Sequence, residues 1–99
     1  MSYSIYLEPP VDLDARHITL DFGYCGNQLS AAFHNEKHIK LLHASFAGET
    51  LDLLADAIDS LEHNYDFDAP ELWQKARCGL LRMYFYASRH LDWTWEIII

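Results

Sequence analysis

The sequence predicts an α+β fold in which a small antiparallel sheet packs against two longer helices and one or two short ones. Apolar and polar residues alternate near both ends of the chain, as they do in half-buried strands. Between these ends, apolar residues recur every three or four positions, as in amphipathic helices. The 99 residues fit a single domain, residues 1–99, and 51% of them are hydrophobic, which is enough for a core.

Two N-terminal strands are expected because apolar residues recur at every second position in two segments. The first covers Tyr3–Glu8 and ends at Pro9-Pro10, because proline cannot donate a ladder hydrogen bond. The second covers His17–Tyr24. The two strands should pair as an antiparallel hairpin across the polar connection Val11–Arg16.

Three helical regions follow. Residues Gln28–Ala44 indicate one or two short helices with a break near Asn35–Lys37. An acidic helix should begin after Ser45, a suitable N-cap, and end near Asn64. Its apolar stripe consists of Leu51, Leu54, Ile58 and Leu61.

The last helix is expected at about Glu71–His90, with Asp68 or Pro70 marking its start. Lys75, Arg82 and Arg89 fall on one of its flanks. Its broad apolar band comprises Leu72, Ala76, Leu80, Met83, Tyr84, Ala87 and Leu91.

A third strand is predicted at the C-terminus, where Trp93, Trp95, Ile97 and Ile99 alternate with other residues. Because both of its faces are largely apolar, we expect it to lie inside the sheet and not at an edge. The two tryptophans are therefore expected in the core, although a stacking platform for bases is the alternative.

Carboxylates dominate the second flank of the acidic helix and the loop after it. No Lys or Arg occurs between Leu41 and Gln74, and the formal net charge of the chain is −8. This charge disfavours direct contact with nucleic acid or with anionic membranes. Simple solubility is the plain interpretation of this charge, and the sharper alternative is an anionic surface that binds a basic protein partner. The expected partner-binding residues are Glu49, Asp52, Asp56, Asp59, Glu62, Asp66 and Asp68.

No catalytic residue, cofactor or metal site is expected. His34, His38 and His43 invite a metal hypothesis, but the glutamate between the first two does not occupy the place that zinc helices require. Cys25 is expected in the core and not as a nucleophile. A bridge between Cys25 and Cys78 remains open. With no signal peptide and no membrane-length apolar run, a cytoplasmic location is expected.

Several segments resemble small phage- and prophage-encoded proteins of unknown function. Ile18–Phe33 resembles their strand, turn and short helix. The stretch from Leu42 through Ala47–Leu51 to Ile58 resembles their "LHG…AGEAL…AI" segment, and Asp92–Glu96 is also similar. Ala44 stands where those proteins usually have glycine. The resemblance implies a phage context and no particular activity.

A weaker similarity is to barstar-type ribonuclease inhibitors, which are small, acidic α/β proteins with a helix leading into an apolar C-terminal strand. This chain lacks their Tyr-Tyr-Gly…Asn-Leu-Asp segment and begins with two strands instead of one. The similarity serves as analogy only.

The resulting hypothesis is a non-enzymatic inhibitor, such as an anti-CRISPR or other anti-defence protein, whose acidic face blocks a basic nucleic-acid-binding surface. An immunity protein or antitoxin that neutralises a toxin is the first alternative. The second is a structural or adaptor subunit that self-associates, for example as a homodimer, because the run Tyr84-Phe85-Tyr86 must turn at least one ring outward or into another subunit.

Overall fold

The computed structural model describes residues 4–22, 25–33 and 39–98. Within these residues, β1 (Ser4–Glu8) lies between β2 (Ile18–Asp21) and β3 (Thr94–Ile98) in an antiparallel sheet of three strands. The predicted α+β fold, with two N-terminal strands and a C-terminal strand in one sheet, is confirmed. The predicted hairpin pairing of the first two strands is also confirmed.

The helices follow the apolar periodicity closely. They are α1 (Gly26–Ala32), a 3-10 helix (Ala47–Thr50), α2 (Leu51–His63) and α3 (Pro70–Arg89). Proline stands at the start of α3, where the missing amide hydrogen costs nothing because the first turn has no acceptor for it. The break that was predicted near Asn35–Lys37 lies outside the described residues.

The core lies between the helices and one face of the sheet. Ile5 and Leu7 of β1 point into it, whereas their neighbour Ser4 is exposed. Leu29 and Ala32 of α1, and Phe33 directly after it, are also buried there. The buried stripe of α2 is centred on Leu54, Ala57 and Leu61, while the flanking residues Leu51 and Ile58 are half-buried.

The position of β3 differs from the prediction, because β3 is an edge strand. Its outer side is covered by an irregular segment instead of a fourth strand. The amide of Ala44 donates to the Trp95 carbonyl oxygen at 2.8 Å, the Trp95 amide donates to Ser45 at 3.1 Å, and the Ala47 amide donates to Trp93 at 2.7 Å. The segment thus pairs backbone groups that an open edge would leave to solvent or to another chain.

Ala44 adopts a backbone conformation that favours glycine. Its φ is 66°, in the left-handed region where the Cβ atom crowds the following carbonyl oxygen. A glycine would adopt the same φ without that crowding. The segment that covers β3 therefore contains a strained residue.

Ser45 is not the N-cap of the acidic helix. Its hydroxyl donates to the carbonyl oxygen of Leu41 at 3.1 Å, and the 3-10 helix separates it from α2. The residue before α2 is Thr50, whose hydroxyl donates to Ala47 and accepts from the buried indole of Trp95 at 2.9 Å. Thr50 therefore joins the helix start to β3 and does not cap α2.

The apolar band of α3 is narrower than predicted. Tyr84 and Leu91 are exposed, because Tyr84 lies at the rim of the contact with α2 and Leu91 follows the end of α3. On another side of α3, Gly79 packs directly against the ring of the buried Phe22 after β2. The residues of α3 that are fully buried are Ala76, Leu80, Met83 and Ala87.

The structure shows no disulfide bridge between Cys25 and Cys78. Cys25 is buried as expected, and its Sγ donates to the carbonyl oxygen of Phe22 at 2.9 Å. Cys78 is exposed on α3.

Candidate protein-binding surface on the acidic helix

Three carboxylates form a row on the outer face of α2, which we call the acidic stripe: Asp52, Asp56 and Asp59. Their spacing of four and three residues places them on one helical face, because an α-helix has 3.6 residues per turn. All three are exposed, while Leu54 and Leu61 on the opposite side of α2 are fully buried. The same helix therefore anchors the fold and presents negative charge to solvent.

Most of this charge has no internal counter-charge. Among the described residues, Asp52 and Asp56 make no ion pair, and neither do the exposed Glu49 and Asp68. The basic residues Lys75, Arg82 and Arg89 of α3 do not pair with the stripe in the part of the chain that the structure describes. Arg89 instead lies over the ring of Phe85, 4.4 Å from its centroid.

Glu62 differs from the stripe because it is paired within the chain. Arg77 of α3 approaches its Oε1 through both Nε and Nη2, each at 3.1 Å. This ion pair joins α2 to α3 and neutralises the predicted partner-binding charge at position 62. It is partly exposed on both sides, so it contributes little to stability.

Asp66 orders the loop between α2 and α3. Its Oδ2 accepts from Nε2 of the buried Gln28 at 2.8 Å, and its Oδ1 accepts from the backbone amides of Asp68 and Ala69. The Gln28 hydrogen bond, followed by those two amides, lowers the pKa of Asp66 below its ordinary value. Its carboxylate is thus already used inside the molecule.

His63 places a titratable group at the end of the stripe. Its Nδ1 lies 2.8 Å from the backbone oxygen of Asp59, to which the nitrogen donates, and 3.5 Å from the Asp59 carboxylate. The backbone hydrogen bond first, and the negative charge of Asp59 second, raise the pKa of His63. Protonation of His63 therefore reduces the negative charge at this end of the stripe.

An apolar groove lies between α2 and α3, next to Asp59 of the stripe. Its volume is about 300 Å³, and Leu81 and Tyr84, each 39% exposed, form its α3 side. The residues on its α2 side are Ala55, Ile58, Asp59 and Glu62. Sequence reasoning missed this groove, because periodicity assigned Tyr84 to the core.

A second apolar feature lies where the loop after α2 meets the start of α3, and we call it the aromatic corner: Tyr65 and Phe67 of the loop and Trp73 of α3. The ring centroids of Tyr65 and Phe67 are 4.8 Å apart, and those of Tyr65 and Trp73 are 4.7 Å apart. Phe67 is 86% exposed and Tyr65 is 42% exposed. The signal in the sequence was two aromatic residues inside an otherwise polar loop.

The described residues contain no group of three His, Cys, Asp or Glu side chains suited to a metal ion. Two histidines of the metal hypothesis, His34 and His38, lie outside the described residues. The third, His43, has its Nδ1 occupied, since it accepts from the backbone amide of Ile97 at 3.0 Å. This histidine helps to cover the outer side of β3.

Comparisons with protein-family models, with curated proteins and with solved structures each find no match to this chain. In the described part of the chain, every helix is too short or too polar to cross a bilayer. Any functional conclusion therefore depends on the surface chemistry described above.

Proposed function

We propose that this protein is a non-enzymatic inhibitor that binds a basic surface of a partner protein through the acidic stripe of α2. The observation that supports the proposal is that Asp52 and Asp56 are exposed and lack a counter-charge within the described residues. Asp59 of the same stripe lines an open apolar groove. The expected partner is a nucleic-acid-binding enzyme or a toxin.

Electrostatics favours such a partner for two reasons. A formal charge of −8 on 99 residues attracts cationic surfaces at long range and accelerates their encounter. A row of fixed carboxylates also competes for the lysines and arginines that would otherwise contact phosphates. The attraction is screened by salt, so binding should weaken as ionic strength rises.

The groove between α2 and α3 supplies the apolar contact surface that a row of carboxylates does not provide. Interfaces combine an apolar centre, which contributes most of the binding energy, with a polar rim, which contributes specificity. Leu81 and Tyr84 offer the apolar centre, and Asp59 lies at its edge next to the rest of the stripe. One side chain of the partner can enter the groove while its basic neighbours face the stripe.

Two charge-reversed variants separate local recognition from net charge. The stripe variant carries Asp52→Lys and Asp56→Lys, and the loop variant carries Asp12→Lys and Asp14→Lys. All four aspartates are exposed. Each Asp→Lys change adds two positive charges, so both variants go from −8 to −4.

In the first step, wild type and the stripe variant are each immobilised and exposed to native host lysate. Mass spectrometry then identifies the proteins that wild type retains and the stripe variant does not. The partner is then purified and its nucleic-acid binding is titrated with the protein. We expect wild type and the loop variant to displace nucleic acid and the stripe variant not to. Simultaneous binding of nucleic acid and the protein would refute the inhibitor proposal.

The biological setting distinguishes two versions of this function. Rescue of a phage from host defence would make the protein an anti-defence inhibitor, of which an anti-CRISPR is one kind. Rescue of cells from a toxin encoded nearby would make it an immunity protein or antitoxin. Both versions use the same acidic stripe.

Self-association is a second candidate, because Leu81, Tyr84 and Phe85 are all exposed along α3. Light scattering over a range of concentrations measures it directly. A mass that rises with concentration in wild type, and not in Phe85→Glu, would favour an adaptor subunit. Tyr86 is half-buried against the core, so Phe85 is the better position to change.

A further inference from the structure

The aromatic corner is held in place by hydrogen bonds more than by burial. Asp66 fixes the loop through the amide of Asp68 and the side chain of Gln28. The indole of Trp73 donates to the carbonyl oxygen of Leu61 at 2.8 Å, which fixes the ring against the end of α2. Rings that are positioned before a partner arrives bind at a lower cost in conformational entropy.

An open cleft of about 500 Å³ lies against this corner. Tyr65, Trp73 and Glu71 are among the residues that line it. Glu71 makes no ion pair with any residue that the structure describes, so its charge is available. Pro70, Gln74 and Lys75 complete the lining.

This combination of groups suits a guanidinium better than an ammonium ion. A guanidinium is planar, so it stacks on an aromatic face while its edge donates two parallel hydrogen bonds to a carboxylate. An ammonium ion is a strongly hydrated point charge and gains less from a ring face. Lys75 repels both cations equally and therefore does not alter the preference.

We propose that the cleft is an arginine-binding subsite, in which an arginine of the partner stacks on Tyr65 and pairs with Glu71. The proposal rests on the proposed function, because it assigns one contact of the same basic partner. It adds a second anchor, formed by Tyr65 of the loop after α2 and Glu71 in the first turn of α3, separate from the acidic stripe.

Two model peptides provide the probe: a glycine-spaced arginine peptide and its lysine counterpart of equal length and charge. Binding is followed by NMR at the indole N–H of Trp73, with the buried Trp93 and Trp95 as internal references. Wild type should bind the arginine peptide about threefold to fivefold more tightly than the lysine peptide. The signal of Trp73 should shift, and those of the two references should not.

Variants test the two assigned contacts. Tyr65→Leu removes the ring face and Glu71→Gln removes the charge, so each should bring the arginine preference close to one. Phe85→Leu changes an exposed ring elsewhere on α3 and should leave the preference intact. Lys75→Gln should strengthen binding of both peptides by a similar factor. Circular dichroism establishes that each variant is folded.

The outcomes separate this proposal from the proposed function. Equal binding of both peptides to wild type would overturn the arginine subsite, and so would an arginine preference that survives Tyr65→Leu and Glu71→Gln. Neither result would contradict the proposed binding of a basic partner by the acidic stripe. No binding of either peptide at low salt would also overturn the arginine subsite, whereas the proposed function fails separately, if the stripe variant and the loop variant bind the purified partner equally well.

Discussion

The acidic stripe should weaken the fold that carries it, and Asp56→Asn measures this effect. Asp56 has a like charge four residues before it, Asp52, and another three residues after it, Asp59. Each such pair destabilises a helix by about 0.2–0.5 kcal/mol, so removing the central charge should stabilise the protein by about 0.4–1 kcal/mol. Asn and Asp have similar helix propensities, and the change therefore isolates the charge.

The assay is thermal unfolding at low salt, at a pH well above the pKa of His63 so that this residue is neutral. For a domain of this size we expect the melting temperature to rise by about 2–6 °C. The gain should vanish near 1 M salt, where the screening length is about 3 Å. For comparison, Glu62→Gln breaks the ion pair with Arg77, at a cost of up to about 1 kcal/mol, but also removes a like charge three residues after Asp59, so it should not reproduce the gain of Asp56→Asn.

An unchanged or lower melting temperature for Asp56→Asn at low salt would contradict this reasoning. It would mean that the charge at position 56 is compensated within the folded chain. The stripe would then not be the exposed, uncompensated surface on which the proposed function depends.

Three further predictions concern the fold that positions the stripe. Gly79→Ala should destabilise the protein by about 1–2 kcal/mol, because the new Cβ would lie 2.0 Å from Cε1 of Phe22 and the better helix propensity of alanine offsets only part of this cost. A higher free energy of unfolding in urea would contradict this packing. Ala44→Gly should stabilise the protein by about 0.5–1 kcal/mol, because the relief of left-handed strain outweighs the greater entropy of glycine in the unfolded chain. A lower free energy of unfolding in the same assay would contradict the backbone geometry. The lowered pKa of Asp66 stabilises the folded protein fully above the pKa of this residue in the unfolded chain, and the stabilisation is lost as pH falls through its pKa in the folded protein. Asp66→Asn and Gln28→Leu should therefore each make the free energy of unfolding less dependent on pH below about pH 4. Curves parallel to wild type would contradict that contribution.

The fold could be predicted from periodicity because each strand and each long helix buries one regular set of residues. Leu54 and Leu61 of α2, and Ile5 and Leu7 of β1, behave as their spacing predicts. Periodicity does not reveal what covers the edge of a sheet. The edge position of β3 was therefore missed, because an irregular segment around Ala44 replaces the fourth strand.

Ser45 shows a second limit of local patterns. A serine shortly before an apolar run is typical of an N-cap, but a turn of 3-10 helix inserted between them removes the contact. Apolar spacing alone did not predict this turn. Its effect is to make Thr50, and not Ser45, the residue that connects α2 to the core through Trp95.

The candidate surface was predicted in outline, and tertiary contacts changed its membership. The spacing of Asp52, Asp56 and Asp59 was sufficient to place them on one face of α2. The ion pair of Glu62 joins residues 15 apart, and the hydrogen bond of Asp66 joins residues 38 apart, so neither could be inferred from local sequence. Such contacts decide which carboxylates stay available to a partner.

The affinity of the purified partner for the stripe variant and the loop variant tests the central claim most directly. Both variants have the same net charge, so only the position of the charge differs between them. If the acidic stripe is recognised, calorimetry should show at least about tenfold weaker binding for Asp52→Lys with Asp56→Lys, and a change of about twofold or less for Asp12→Lys with Asp14→Lys. Equal weakening of both variants, or wild-type affinity in the stripe variant, would contradict it.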